Sequence, residues 1–177
     1  MRRKKFNTSI FTIGHSTRTL PELIKILKSY GISEVVDVRT IPKSRANSQF
    51  NEPTLKRALI KHKISYKHLK GLGGLRHPSK NSMNTYWRNA SFRGFADYMQ
   101  TKEFHSALKV LIEIANKKST VIMCAEAVPW RCHRSLIADA LKIRGIQITH
   151  IFSENNFKEH KLTESVKIGN GLKLFYP

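Results

Sequence analysis

The feature that most restricts the fold is an alternation between short apolar runs of strand length and longer stretches whose apolar residues recur at helical spacing. Ser9-Ile10-Phe11-Thr12-Ile13 reads as a first strand ending at Gly14. A helix follows, announced by the capping box of Thr19 and Glu22, carried by Leu23, Ile24, Leu27 and Tyr30, and stopped at Gly31. Val35-Val36-Asp37-Val38 is a second strand, apolar on both faces as central parallel strands are. Next come a helix over 53–62, a strand with one wet face over 64–69, and an irregular stretch over 71–90. Helical patterns return over 92–99 and 101–115, and 119–124 is another buried strand. A helix is expected from about Pro129 to Arg144, stopped by Gly145, with a last, outer strand over Ile146, Ile148 and Ile151. Strands and helices in this order specify an α/β domain: a mostly parallel sheet of about five strands with helices on both faces. With 177 residues, 40% of them hydrophobic, the chain builds one sizeable core and so one compact domain. Its bounds are 9–152, preceded by a basic extension at 1–8 and followed by a tail at 153–177 that packs on the domain or trails from it.

Charge narrows the partners. Thirty-two Lys and Arg against 12 Asp and Glu leave a net +20, a field that concentrates polyanions, so nucleic acid or a phosphorylated small molecule is the expected ligand. The alternative is a basic surface that only keeps the protein soluble. No run is long and apolar enough to cross a bilayer, and Met1 to Phe6 lacks the apolar segment of a secretory signal. The expectation is a cytoplasmic protein without a membrane partner. Two cysteines are too few for a disulfide framework, and in a reducing compartment both are thiols.

In open parallel sheets, ligands sit beyond the carboxyl ends of the strands. Three segments occupy such ends: the turn with His15 and Ser16; the stretch from Asp37 through Arg39 to Ser44 and Arg45; and Cys124 to Arg134. Pro129 suits a first helical turn, which would give Trp130 to Arg134 a helix N-terminus, with Arg131 and Arg134 side by side as an anion site. On that helix His133 points at the sheet, within reach of Cys124, Arg39 and His15. Glu126 lies two residues past a buried strand in a chain short of carboxylates. It either bridges to an arginine or serves as a general acid or base. Asp37 poses the same choice, as a buried clamp on Arg39 or as a second catalytic carboxylate facing the crevice, an arrangement suited to glycosidic hydrolysis.

Other chemistries fit the spacing less well. Phosphatase and rhodanese-type loops place five residues between cysteine and arginine, whereas six separate Cys124 from Arg131, and Glu126 would repel phosphate. Adjacent residues on a helix diverge too far for Cys132 and His133 to aim readily at one zinc ion with Cys124, so no metal and no cofactor are expected. A thiol role for Cys124 and Cys132 stays open, though a redox pair lacks the close spacing of thioredoxin motifs.

Thr12-Ile13-Gly14-His15-Ser16, Val36-Asp37-Val38-Arg39, Leu72-Gly73-Gly74, Phe92-Arg93-Gly94-Phe95, Cys124-Ala125-Glu126 and Cys132-His133-Arg134-Ser135 together resemble the bacterial and archaeal proteins grouped as domain of unknown function DUF488. The resemblance spans about residues 9–152 and implies a compact α/β domain with recurring motifs at these positions. It brings no reaction with it, and a DNA-repair label on some members is weak support for nucleic acid. The reading is a hydrolytic enzyme acting on nucleic acid or nucleotide: Arg39, Arg45, Arg131 and Arg134 hold phosphate, Glu126 is the acid or base, and His133 with Cys132 assists. Tyr86, Trp87 and Phe92 would stack a base if the 71–90 loop folds over the crevice. The alternative is a non-catalytic module that binds the same ligands.

Overall fold

A computed structural model describes residues 8–177. The basic extension therefore lies outside the described residues but for Thr8. In chain order the elements are β1 (Ser9–Gly14), α1 (Leu20–Ser29), β2 (Glu34–Asp37), α2 (Glu52–Lys61), β3 (Ser65–His68), α3 (Ala90–Tyr98), α4 (Lys102–Ala115), β4 (Thr120–Cys124), α5 (Arg134–Lys142), β5 (Gln147–Ser153), β6 (Asn156–Glu159), β7 (Lys167–Ile168) and β8 (Leu174–Phe175). The main sheet runs β3-β2-β4-β1-β5-β6. Its first five strands are parallel, and β6 adds antiparallel to β5. β5 is thus not an outer strand as its sequence suggested. The tail continues through β6 and the β7–β8 hairpin to Tyr176, which is wholly buried with its hydroxyl on Asp139.

Alternation along the strands sends neighbours to opposite faces. Val121 and Met123 of β4 pack with α1 and α2 in a core that includes Leu23, Leu27, Leu55 and Leu59. Ile122 and Cys124 face α3, α4 and α5 in a second core with Phe95, Leu108 and Leu136. The helices start where their caps dictate. Thr19 and Glu22 close the capping box of α1, and Gly31, at φ +62°, ends that turn in a conformation only glycine adopts cheaply. Among the described residues, no helix is long and apolar enough to cross a membrane.

The helix expected from Pro129 is broken. Pro129–Arg131 form a 3-10 turn closed by the Cys132 N–H on the Pro129 carbonyl. Cys132 is extended (φ −137°, ψ 143°), and α5 begins only at Arg134, with His133 as its cap. One extended residue turns the Cys132 thiol inward and separates Arg131, which stays exposed, from Arg134, which is buried. The two arginines do not sit side by side on one helix.

Candidate active site at the end of the central strands

β4 and β1 are neighbours, with Gly14 the register partner of Cys124. From β1 the chain leaves toward α1 on one face, and from β4 toward α5 on the other. Adjacent strands whose connections part in this way open a crevice at their carboxyl ends. The loop after β4 crosses the end of β1 so closely that a Cβ on Gly14 would lie 1.8 Å from the Glu126 carbonyl oxygen. Only glycine permits the crossing. A cavity of ≈ 380 Å³ lies beside it, walled by Arg39, Cys124, Glu126, Arg131, Cys132 and His133, with Thr40, Ile41, Gly74, Leu75, Ser91 and Phe92 completing the lining.

At the cavity wall three donor atoms converge. The thiols of Cys124 and Cys132 and a ring nitrogen of His133 lie within 4.8 Å of one another, and Cys132 Sγ is 3.6 Å from His133 Nδ1. His133 Nε2 is 3.1 Å from the Val38 carbonyl. A carbonyl can only accept, so Nε2 carries the proton, and in the neutral ring Nδ1 is a bare lone pair aimed at the thiols. The ring also stands edge-on to Phe95 at 5.0 Å, which fixes its tilt. Contact with Cys132, aided by His133 when its ring carries both protons and by the charge of Arg134, pulls the Cys124 thiol well below the ordinary range despite its burial, while contact with Cys124 and burial push Cys132 well above it.

Arg134 is the oddest group here. It is wholly buried at 1% exposure, its Nη2 donates to the Ala127 carbonyl at 3.3 Å, and its Nε and Nη1 have no hydrogen-bond partner among the described residues. A buried cation without a carboxylate is costly, and its charge favours the thiolate form of both Cys124 and Cys132.

Asp37 and Arg39 take the opposite course. Asp37 is wholly buried; it accepts from the Arg39 backbone N–H at 3.0 Å and from Nε and Nη2, and its Oδ2 also accepts from the Tyr66 hydroxyl at 2.8 Å. Arg39 further donates to the Phe50 carbonyl at 2.8 Å and faces His15 Nε2 at 3.3 Å. His15 is stacked on Phe50 and hydrogen-bonded through Nδ1 to Ser16, and burial, then the nearby Arg39 charge, lower its pKa. Asp37 is therefore a clamp enclosed on the α1 and α2 side, with its oxygens spent on three partners. It does not join Glu126 as a second carboxylate in the crevice.

Glu126 is exposed, makes no ion pair among the described residues, and accepts only from the N–H of Ala127 at 2.9 Å. No arginine bridge holds it. Ser44 and Arg45 do not line the cavity; Ser44 instead braces its own loop through Asn47 and Asn51. Ser16 sits at φ +50°, its N–H bonded to the Ala125 carbonyl, and so joins the β1 and β4 loops without lining the cavity. Of the expected aromatics Phe92 lines the crevice, while Tyr86 and Trp87 line a separate cavity of ≈ 400 Å³ on the far side of the Pro129–Arg131 turn.

Two contributions had not been expected from the sequence. Gly74, from the irregular stretch, lies against the imidazole, and a Cβ there would come 2.4 Å from His133 Nδ1. Its sequence signal is the pair Gly73-Gly74 itself. The other is a buried chain of side chains. Thr12 Oγ1 bonds His150 Nδ1 at 2.7 Å, His150 Nε2 bonds His160 Nδ1 at 2.9 Å, and His160 Nε2 bonds Asp139 Oδ1 at 2.8 Å. Residues so far apart in sequence carry no pattern that would have joined them. Against known proteins, the family model described as Domain of unknown function DUF488 matches residues 19–141. Neither a curated protein nor a solved structure matches the chain.

Proposed function

The chain belongs to the DUF488 family, and we propose that this member is a hydrolytic enzyme acting on a nucleic acid or nucleotide in the Cys124 crevice. The observation that carries the reading is the free carboxylate of Glu126 on the same cavity as Arg39, Arg131 and His133. An exposed carboxylate with no partner is available to take a proton from an attacking water and return it to the leaving group. Arg131, exposed and unpaired by any carboxylate among the described residues, supplies the phosphate contact, while Arg39, its charge offset by Asp37, lines the back wall. With Asp37 enclosed, one carboxylate serves the site, which favours a phosphoester over the paired-carboxylate hydrolysis of a glycosidic bond.

The substrate class rests on the surroundings. The neighbouring cavity borders the Pro129–Arg131 turn and exposes Trp130 (62%) and Tyr86 (47%) beside Lys158 and Lys161, with Glu159 and Glu164 also on its wall. Stacking faces next to cations suit a strand of bases and phosphates, and the net charge of +20 draws such a strand in. A reducing compartment, the cytosol, suits two free thiols at the site. The test is a mass-spectrometric screen of oligonucleotides and nucleotides with wild type and Glu126→Gln. Turnover by wild type that Glu126→Gln abolishes, with nucleic-acid affinity kept, is the expected result. Salt-steep binding with no turnover would instead identify a binding module, and neither binding nor turnover would overturn the nucleic-acid reading.

A further inference from the structure

We propose that Cys124, Cys132 and His133 bind one zinc-class divalent ion, with its fourth position open to the crevice. The use of that position for water activation rests on the hydrolytic reading above; the binding does not. A sulfur and a nitrogen on one tetrahedral zinc, at about 2.3 and 2.0–2.1 Å from the metal, lie about 3.6 Å apart. Cys132 Sγ and His133 Nδ1 are 3.6 Å apart, and the third donor closes a set within 4.8 Å. Contraction by about 1 Å at the widest pair completes a tetrahedral face.

The histidine is prepared for this. Zinc-bound imidazoles as a rule donate their second nitrogen to a carbonyl or carboxylate, which fixes the tautomer. His133 Nε2–H on the Val38 carbonyl at 3.1 Å does so, leaving Nδ1 as the ligand atom. Glycine at 74 lets the backbone lie against the ring and so helps hold its orientation, since a Cβ there would come 2.4 Å from Nδ1. Two thiols and an imidazole select zinc-class ions over magnesium or calcium, which take oxygen donors. Three protein ligands with a fourth side facing a cavity is the pattern of catalytic rather than structural zinc. Glu126, which lines the same cavity and among the described residues is bonded only to its neighbour's N–H, is the carboxylate available to accept the proton of a metal-bound water. The hydroxide so formed would attack phosphorus, the ester bond would break, and the leaving oxygen would carry the proton away.

The test uses the full chain, purified without chelator and then metal-stripped under reducing conditions. Elemental analysis is expected to give one zinc per chain before stripping. Cobalt titration of the stripped protein is expected to give sulfur-to-cobalt charge-transfer absorption and tetrahedral visible bands that saturate at one equivalent. Cys132→Ser and His133→Ala should each weaken cobalt binding by more than the roughly 10–100-fold that outer-shell changes cost, whereas Glu126→Gln should leave it unchanged. Zinc should also protect Cys124 and Cys132 of the wild type from alkylation, a readout that needs no variant to fold. Absence of cobalt–thiolate absorption, unprotected thiols, or binding indifferent to Cys132→Ser overturns the proposal. Turnover that survives complete metal removal would sink the metal site's role and leave the hydrolase; metal bound with no turnover would do the reverse.

Discussion

A buried histidine and a half-buried one behave in opposite ways. His150, in β5, has both ring nitrogens engaged, one by Thr12 and one by His160, and the chain ends on Asp139, which also accepts from the backbone and hydroxyl of Thr163 and from Tyr176. His133 has one nitrogen fixed by Val38 and the other turned to two thiols, beside an arginine with two unpartnered N–H-bearing nitrogens and a glutamate that bonds nothing but its neighbour. A closed network of this kind specifies packing, because every buried polar group in it is matched. Groups left with spare capacity at a strand-end crevice contribute nothing of that sort, and capacity is what a ligand uses.

The comparison breaks most visibly at Asp139. Replacing it by alanine strips His160, Thr163 and Tyr176 of their common acceptor in a region with almost no solvent. A loss of about 3–5 kcal/mol in denaturant unfolding is expected, as for other broken buried networks. The tail from β6 to Tyr176, tied down through these bonds, should become protease-sensitive first. Should Asp139→Ala cost less than about 1 kcal/mol, the network is not the structural partner it is taken for here.

Acid is the next test. Burial foremost, and then the charges of His160 and Arg134, hold His150 neutral down to about 3. The unfolded chain protonates the same residue near 6.5, so between these values the unfolded state binds more protons and stability must fall as pH drops. The full contribution is present above about pH 6.5 and is lost progressively toward pH 3, amounting to at most about 4–5 kcal/mol. Urea unfolding at a series of pH values should show a steeper acid loss for wild type than for His150→Gln. Equal slopes would remove His150 from the account.

Most of the fold was legible because it is written in local patterns. The capping box at Thr19, the stop at Gly31 and the unbroken apolar run of β4 are each decided within a few residues. The position of the candidate crevice was legible for a topological reason, since strand ends are where such sheets open. What escaped was set by single residues or by distant ones. Extended Cys132 in place of a helical one overturned the side-by-side arginines and brought together two thiols and an imidazole that a continuous helix would have splayed. Nothing in the sequence ties Thr12 to Asp139, and the antiparallel β6 lies in a polar tail without apolar alternation.

A smaller effect sharpens the thiol side. In metal-free protein Cys124, with its thiol pulled down by Cys132, His133 and Arg134, should alkylate before Cys132, with a midpoint below the usual value of about 8.5. His133→Ala should slow that reaction at neutral pH, since His133 is one of the groups that favour the Cys124 thiolate. Peptide mapping after a short iodoacetamide pulse distinguishes the two sulfurs. If Cys132 reacts first, the assignment of the acidic thiol is reversed.

The smallest expected effect is the most telling. Among the described residues Glu126 makes no ion pair and is bonded only to the next residue's N–H, and it is exposed, so Glu126→Gln should change unfolding free energy by no more than about 0.5 kcal/mol. Glutamine keeps the oxygen that accepts from Ala127 and removes only the charge and the proton-accepting capacity. In a chain with 12 acidic residues against 32 basic ones, a carboxylate that takes part in no ion pair among the described residues forgoes a readily available stabilising contact there. Thermal and urea unfolding of the variant would decide between the two kinds of region. A loss above about 1 kcal/mol would mean that Glu126 is held by contacts equivalent to those of Asp139, and the contrast between a closed network and an open crevice would fail at its central residue.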